Sequence, residues 1–293
     1  MTQFNTWILI ASALMAPEGL FIEKSSVWEA INDDQEYFLF YFPKLKKDCS
    51  FFSADELKSW ASKNHEELNK IAAEQKVPIT FAPFEQNAFG SLSVMTLNLK
   101  WLQKPLETPC IFKDATSSVD ALLFNQDFEI IETSDHNPVV KIKTQSGDTV
   151  CVSTVCCDVE NFDYVDPYWV TACIDQIRED IEDRDSVDSH NAVVIPEFSY
   201  EGFVDISWLN GMKCGTQAQN NEYTIDQATK YVKLNFDADG CNVKAGAGIT
   251  FLPISAGKGP LVIDEPFLFW VERPGCENPI IEGFVDTDAL KEA

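Results

Sequence analysis

Two segments near the end of the chain decide the fold: residues 264–271 read DEPFLFWV and residues 279–285 read PIIEGFV. Both are rich in aromatic and β-branched residues, the composition that favours strands. We therefore predict strands over residues 266–272 and 280–285. A further strand is predicted over residues 231–236, where Val232, Leu234 and Phe236 alternate with polar residues as in a half-buried strand.

Further strand segments lie upstream of this C-terminal stretch. The aromatic run YFLFYF at residues 37–42 is continuous and predicts a buried central strand. The remaining predicted strands are rich in β-branched residues or alternate in part, and they cover residues 91–101, 128–132, 139–143, 149–155, 192–195 and 261–263.

Helices are predicted mainly in the first part of the chain. Residues 7–15 are apolar all round, which indicates a buried helix. Ser53 and Glu56 form a capping box that predicts a helix over residues 53–71, ending before Pro78. A second amphipathic helix begins near residue 167. Helices early and strands late predict an α+β fold with mostly antiparallel sheets, in one domain over residues 1–293.

Composition narrows the classes of function. The formal net charge is −25, so the surface repels nucleic acid and anionic membranes, and we expect a monomer. His65, His136 and His190 are the three histidines, and each is predicted to lie at the surface. The sequence holds no GxSxG, phosphate-binding loop or HExxH motif, so we expect no enzymatic activity, no metal and no other cofactor.

The cysteines bear on the cellular compartment. Nine are present, an odd number, and none forms a CxxC pair. Free thiols are typical of a reducing compartment, which favours a cytoplasmic protein. Residues 7–16 resemble the apolar core of a signal peptide, although no Lys or Arg precedes them, so secretion stays open.

The most informative segment for function is residues 237–260, DADGCNVKAGAGITFLPISAGKGP. It joins two predicted strands through more than twenty residues with no helical period, and connections of that length in a compact domain are usually functional or mobile. Residues 242–252 contain small side chains and neither proline nor an acid, so this part can become a strand.

These segments resemble the serpin family. The two C-terminal segments are similar to the serpin signature, in which a Pro-Phe-Leu-Phe strand and a Gly-x-Val strand come last. Residues 193–198, VVIPEF, with Leu209 and Met212 downstream, resemble the "PKF…DL…L..LGM" block. Residues 97–105 resemble the strand with the breach tryptophan, here Trp101, and residues 53–71 resemble the helix that lies across the main sheet. In this order the blocks cover about two-thirds of the chain.

The chain also departs from the family pattern. It is shorter than usual, with the first helix (helix A) and the helix C/D region reduced, and the segment between residues 15 and 37 is too short for the usual helices. Lys230 stands where the family commonly has a shutter histidine. The resemblance therefore implies a shortened, divergent serpin-like domain with an exposed reactive-centre loop.

What the resemblance implies for function is a suicide-substrate inhibitor of a peptidase. A serpin loop is cleaved as a substrate mimic and then inserts into the main sheet. Aligned on the family's hinge glycine, the hinge comprises Gly240, Cys241, Asn242, Val243, Lys244, Ala245, Gly246 and Ala247. The reactive bond then falls at Ile254–Ser255, with Phe251, Leu252, Pro253 and Ala256 beside it in the loop. Counting back from Pro266 gives Ser255–Ala256 instead.

The target class follows from the residue offered to the peptidase. Ile254 suits a serine peptidase with an apolar primary pocket, whereas a bond at Lys258 would suit a trypsin-like one. In an inserted strand Cys241, Val243, Ala245 and Ala247 would face inward and Lys244 outward. Slow insertion would make the loop a mere substrate. A non-inhibitory serpin-fold binding protein and an unrelated acidic interaction protein are the alternatives.

Overall fold

The computed structural model describes residues 2–24, 26–113, 118–154, 167–187, 190–215, 222–240 and 259–291. Four α-helices lie within these ranges: α1 (Trp7–Met15), α2 (Asp33–Asp48), α3 (His65–Glu74) and α4 (Pro167–Ile181). None of these helices is long and apolar enough to cross a bilayer.

The strands of the described ranges are β1 (Gln3–Asn5), β2 (Val27–Glu29), β3 (Leu57–Ser62), β4 (Gly90–Met95), β5 (Leu106–Ile111), β6 (Ser118–Phe124), β7 (Phe128–Glu132), β8 (Pro138–Lys143), β9 (Thr149–Thr154), β10 (Val193–Pro196), β11 (Phe198–Val204), β12 (Lys213–Gly215), β13 (Glu222–Thr224), β14 (Lys230–Phe236), β15 (Leu261–Val262), β16 (Phe267–Glu272) and β17 (Ile281–Val285). Short 3₁₀ turns follow α2, precede β12 and follow β17.

These strands form several sheets. The largest has the order β1-β17-β16-β9-β8-β7, and every neighbouring pair in it is antiparallel. A second has the order β15-β10-β6-β5, in which β15 and β10 are parallel. A third has the order β13-β12-β2, and two separate pairs, β3–β4 and β11–β14, complete the set. The predicted α+β class with mostly antiparallel sheets is confirmed.

The two C-terminal segments form strands, as predicted, and the structure places these strands in the core. All side chains of β17 and all but the last of β16 are buried. β16 pairs with both β9 and β17, and β17 also pairs with β1, so the two strands occupy the middle of the sheet. Burying each large apolar side chain contributes about 1.5–3 kcal/mol to the stability of the folded chain.

The apolar segment at residues 7–15 is the buried helix α1, as predicted. Ile8 and Ala11 have no exposed surface, and Ile10 and Leu14 are also buried. α1 packs against α2 and against β3 and β4. Because its neighbours cover it on several sides, the helix is apolar around most of its circumference.

The predicted strand at residues 37–42 is wrong, because this aromatic run belongs to α2. The Asn32 side chain accepts a hydrogen bond from the Gln35 backbone N–H at 2.9 Å and caps the helix. Phe38, Phe42 and Leu45 then follow at helical spacing and are buried. A short apolar run fits either period, and here the packing of Phe38 and Phe42 against α1 favours the helix.

The predicted helix over residues 53–71 is also wrong in its first half. Glu56 Oε2 accepts hydrogen bonds from the Ser53 N–H and from the Ser53 hydroxyl, but the chain continues as β3, which pairs with β4 in the register Trp60↔Leu92. The helix, α3, begins only after Asn64, whose side chain accepts from the Glu66 N–H. Pairing with β4 overrides the local signal, since a cap adds only about 1 kcal/mol. The predicted end before Pro78 is confirmed.

The other predicted strands agree with the structure within a few residues, apart from the one at residues 91–101. β4 ends at Met95, and residues 96–98 lie outside any strand. The second predicted amphipathic helix is confirmed as α4, and its apolar residues Val170, Ile174 and Ile181 are buried.

Gly283 provides a test of the core packing. A Cβ at this position would lie 2.3 Å from a ring carbon of Phe4, which belongs to the neighbouring strand β1. We expect Gly283→Ala to lower the free energy of unfolding by about 1–3 kcal/mol, because β1 or β17 must shift. Urea denaturation measures the effect.

Gly259→Ala is the matched control, since no atom lies within 4 Å of its added Cβ. Its unfolding midpoint should stay close to that of the parent chain. Equal midpoints for the two variants would contradict the close contact between β1 and β17.

Candidate functional site

Most residues of the sequence-predicted site lie outside the described residues. This applies to the hinge positions Cys241, Asn242, Val243, Lys244, Ala245, Gly246 and Ala247, and to Phe251, Leu252, Pro253, Ile254, Ser255, Ala256 and Lys258. Gly240 precedes this segment, Gly259 follows it, and both are described. The candidate site is therefore built from the two ends of the segment and from the strands beside them.

The first end is a tight turn at residues 237–240, here called the loop root. Asp237 and Gly240 form an antiparallel bridge with backbone hydrogen bonds in both directions, at 3.0 and 3.1 Å. Gly240 has φ of 135°, and a Cβ there would lie 2.0 Å from the Leu99 carbonyl oxygen. Only glycine fits this position. The turn reverses the chain, so that at Gly240 it runs antiparallel to the end of β14.

Trp101 holds the loop root against the core. Its indole N–H donates a hydrogen bond to the Asp237 carbonyl at 2.9 Å. Its ring meets Phe124 and Phe236 edge to face, each at 5.2 Å between centroids. Trp101 is 3% exposed, so this hydrogen bond is shielded from water. The site residue Trp101, taken from the sequence, is thus brought together with Gly240.

Charged groups surround the loop root. Lys104 Nζ lies 2.7 Å from Asp239, and Lys291 Nζ lies 3.2 Å from Glu197. Burial raises the pKa of Glu197, against the opposing effect of Lys291, and burial likewise raises the pKa of Asp237. Glu197 occupies the position of the lysine in the resembling "PKF" block, and Lys291, from the C-terminal segment, supplies the positive charge that it pairs with.

The second end of the segment lies at a different sheet. The Gly259 carbonyl is 3.0 Å from His190 Nδ1, and β15 then pairs in parallel with β10 at the edge of the four-stranded sheet. Residues 241–258 therefore connect the exit of β14 to a strand of another sheet. The root end lies beside β14, whose second edge has no strand paired to it in the described ranges.

That open edge belongs to β14. In the described ranges β14 pairs with β11 alone and β4 pairs with β3 alone. A cavity of about 110 Å³ lies beside β14, lined by Val232 and Leu234 on one side and by Met95 and Leu99 on the other. A strand edge whose backbone groups are unpaired is a template for another strand.

Buried polar groups lie next to this cavity. Thr6 lines it, and the buried Thr6 hydroxyl has no hydrogen-bond partner among the described residues. At the start of β14, the Lys230 ammonium lies 3.4 Å from the Phe4 carbonyl, its hydrogen-bond acceptor, and is 3% exposed. Burial lowers the pKa of Lys230 to about 7, against the opposing effect of Glu282. The pKa of Lys230 is thus near that of a histidine, the residue that commonly stands here in the family this chain resembles.

Other chemistry is sparse in the described residues. They contain no group of three or more His, Cys, Asp or Glu side chains that could hold a metal ion. The described cysteines are free, and burial raises the pKa of Cys49 and Cys214 to about 11. These thiols are protonated at neutral pH and are weak nucleophiles.

The fold is shared with serpins. A serpin from the insect Tenebrio molitor, described as highly specific, superposes with a TM-score of 0.58 at 13% identity, covering 97% of this chain and 91% of that chain. Human thyroxine-binding globulin, solved with thyroxine, gives 0.59 at 12% identity with coverage of 97% and 91%. A serpin of Anopheles gambiae gives 0.56 at 10% identity with coverage of 98% and 92%.

Similarity is limited to the structure. No protein-family model matches the sequence, and no curated protein matches it. At identities of 10–13% the likeness shows a serpin fold, in agreement with the fold expected from the C-terminal segments.

Lys230 yields a pH-dependent prediction. Its folded pKa is lowered from 10.5 to about 7, so between pH 7 and pH 10.5 the folded protein binds fewer protons at Lys230 than the unfolded chain does. The contribution of Lys230 to the free energy of unfolding therefore rises with pH over this range. Replacing it by an uncharged side chain removes the cost of a buried charge at lower pH. We expect Lys230→Met to raise the free energy of unfolding at pH 6 by about 1–3 kcal/mol, measured by urea denaturation.

The gain from Lys230→Met should shrink toward zero between pH 7 and pH 10. Lys233→Met is the control on the same strand, because Lys233 is exposed and pairs with Glu201 at the surface, and we expect a change within about 0.5 kcal/mol at all pH values. A Lys230→Met variant that is equally destabilised at pH 6 and pH 10 would refute a buried charge at this position.

Proposed function

We propose that the chain inhibits a serine peptidase as a suicide substrate, and that residues 241–258 form the bait loop. The observation that carries this proposal is the reversal of the chain at the loop root beside the open edge of β14. An extended segment continuing antiparallel from Gly240 would meet the cavity between β14 and β4. The two strand pairs β3–β4 and β11–β14 would then become parts of one sheet.

The chemistry of the trap is an interrupted hydrolysis. The peptidase serine attacks the Ile254 carbonyl, the Ser255 amine leaves with a proton, and Ile254 remains bound to the serine as an ester. The cut frees the N-terminal part of the loop from the β15 end, while the loop root still ties it to β14. Each residue that inserts gains ladder hydrogen bonds, worth about 0.5–1.5 kcal/mol apiece. Deacylation competes with insertion, so rapid insertion is required.

The shared fold supports this function, because the serpin-fold structures similar to this chain include inhibitors such as mouse protein-Z-dependent protease inhibitor. We propose a divergent, shortened serpin that acts as a monomer on a peptidase with an apolar primary pocket.

The hinge composition favours a second candidate, a non-inhibitory binding protein of the same fold. Inhibitory hinges are rich in small residues, whereas this one carries Val243 and Lys244. Thyroxine-binding globulin has the same fold and was solved with thyroxine, so this fold also serves as a carrier. The candidates differ in the fate of the loop: a carrier is clipped by a peptidase and forms no covalent complex.

A matched pair of hinge variants separates the two. Ala245 would face inward in an inserted strand and Lys244 outward, so we expect Ala245→Glu to abolish insertion by burying a charge, and Lys244→Glu to be tolerated. With an elastase-type peptidase, the parent chain and Lys244→Glu should give a covalent complex on denaturing gels. Ala245→Glu should be cleaved without a complex. Cleavage of all three without a complex would contradict inhibition and favour the non-inhibitory binding protein.

A loop variant tests the target class. Ile254→Arg places a guanidinium in a pocket that fits an isoleucine side chain. We expect the rate of elastase inhibition to fall on the order of 10²-fold. A trypsin-type peptidase, with an acid in its pocket, should then be inhibited. Lys258→Ala is the control, because it changes the alternative reactive position alone. If Lys258→Ala, and not Ile254→Arg, changes the target, the reactive bond lies at Lys258.

A further inference from the structure

A second small pocket lies on another part of the molecule, between α1, α2, α4 and the start of β17. Four aromatic side chains from two helices line it: Trp7 from α1, and Tyr37, Phe38 and Tyr41 from α2. Two carboxylates also line it, Asp175 from α4 and Glu282 from β17. Rings and carboxylates together form an electronegative surface, because ring faces carry partial negative charge.

One of these carboxylates, Glu282, is held by a hydrogen bond at one of its two oxygens. Glu282 is 1% exposed, and its Oε1 accepts a hydrogen bond from the Thr171 hydroxyl at 3.0 Å. The Trp7 indole N–H donates to the same hydroxyl at 2.8 Å, which orients the Thr171 proton toward Glu282. Glu282 Oε2 has no hydrogen-bond partner among the described residues. A buried carboxylate oxygen without a donor is costly, so it favours a ligand that donates one.

The second carboxylate adds fixed charge. Asp175 Oδ2 accepts from the Tyr41 hydroxyl at 3.0 Å, and Oδ1 lies 3.4 Å from Arg178 Nη1. Arg178 also contacts Glu272 at 3.3 Å, so its charge is shared with another acid. The pocket thus contains one carboxylate that is already paired and one with a free acceptor.

The aromatic walls are rigid. The Trp7 ring stacks on Tyr168 at 5.4 Å with an interplanar angle of 9°, and Tyr37 meets Tyr168 edge to face at 4.5 Å. Tyr37 and Tyr41 are themselves 5.1 Å apart. These ring contacts hold the rings in place before a ligand arrives, which lowers the entropy cost of binding. Aromatic rings around a cation attract it, most strongly where water is excluded.

We propose that this pocket binds the ammonium head group of a small primary amine, with Glu282 Oε2 as its hydrogen-bond acceptor. The space beside these groups is about 10 Å³, which is room for one water-sized group. An ammonium group has that size and three N–H donors. Tyr37 and Tyr41 are half-buried, so this side of the pocket borders the surface, and the carbon chain of the amine would extend there.

Binding is linked to protonation of Glu282. Burial raises the pKa of Glu282 to about 8, the Asp175 charge raises it further, and Thr171, Trp7 and Lys230 lower it. Glu282 therefore carries a proton at pH 6, and an arriving ammonium ion must displace that proton. The affinity for a primary amine should rise between pH 6 and pH 8.5, with release of a proton from the protein on binding.

Titration calorimetry of the full chain with n-butylammonium, at pH 8.5, tests the site. Its controls are 1-butanol, the neutral analogue of the same length, and butyrate, the anion. We expect saturable binding of one butylammonium ion and none of butanol or butyrate. Because the net charge is −25, any cation also associates weakly with the surface, so the site is measured as the difference from a variant.

The variant is Glu282→Gln, which removes the charge and retains the shape. We expect it to weaken butylammonium binding by at least about tenfold, since a charge-assisted hydrogen bond is lost. Glu129→Gln is the matched control at a surface ion pair with Lys143, and it should bind like the parent chain. Equal affinity of Glu282→Gln and the parent chain would overturn the proposal. Absence of saturable binding would also overturn it, since the pocket would then hold water only.

A second pair of variants covers the case in which Glu282→Gln does not fold. Tyr41→Ala removes one wall of the pocket, and Phe40→Ala removes the neighbouring ring, which contacts Tyr41 at 5.3 Å but is 72% exposed and does not line the pocket. We expect Tyr41→Ala to weaken butylammonium binding and Phe40→Ala to leave it unchanged. If both or neither weaken binding, the pocket is not the site.

Discussion

The antiparallel pairing of β17 with β16 on one side and with β1 on the other is the interaction on which the rest of the structure depends. It joins the two ends of the described chain at one side of the largest sheet, where β1 is the edge strand. One face of β16 packs Phe267 and Phe269 into the main core, and the other packs Leu268 and Trp270 beneath α4. Because α1 begins only two residues after β1, this pairing also sets where α1 lies.

Both sites adjoin that pairing. The cavity beside β14 lies next to Thr6, in the link between β1 and α1, and the aromatic pocket ends on Glu282 of β17. The polar groups buried between them, Lys230 and Glu282, act on each other's pKa through their charges. Buried ionisable groups lower the free energy of unfolding, so the core of this protein is less stable at the two places where the structure provides room for a strand or a ligand.

The loop root shows how a few contacts can direct a long segment. The bridge between Asp237 and Gly240 reverses the chain, the Trp101 indole holds the Asp237 carbonyl, and the Leu99 carbonyl excludes any side chain at Gly240. Together they set the direction in which the chain leaves β14. The open edge of β14 lies along that direction, and an unpaired edge is costly unless it is covered or used.

Local patterns in the sequence were sufficient to predict an element where only the strand period or only the helix period fitted the apolar residues. Alternation identified β14, whose Val232, Leu234 and Phe236 are buried, and the apolar C-terminal segments identified β16 and β17. The C-terminal segments also carried the resemblance that led to the serpin fold, and the hinge glycine and the tryptophan were named from it. The strands depend on residues within one segment, so the sequence alone determines them.

Only the tertiary structure decided what depends on partners distant in the chain. Residues 37–42 became helical because Phe38 and Phe42 pack on α1 and its neighbours, and the segment after Ser53 became a strand because β4 pairs with it. The aromatic pocket unites residues from four elements, among them Trp7, Asp175 and Glu282, and no spacing in the sequence relates them. Burial and pairing depend on the whole fold, and they outweigh propensities worth only about 1 kcal/mol.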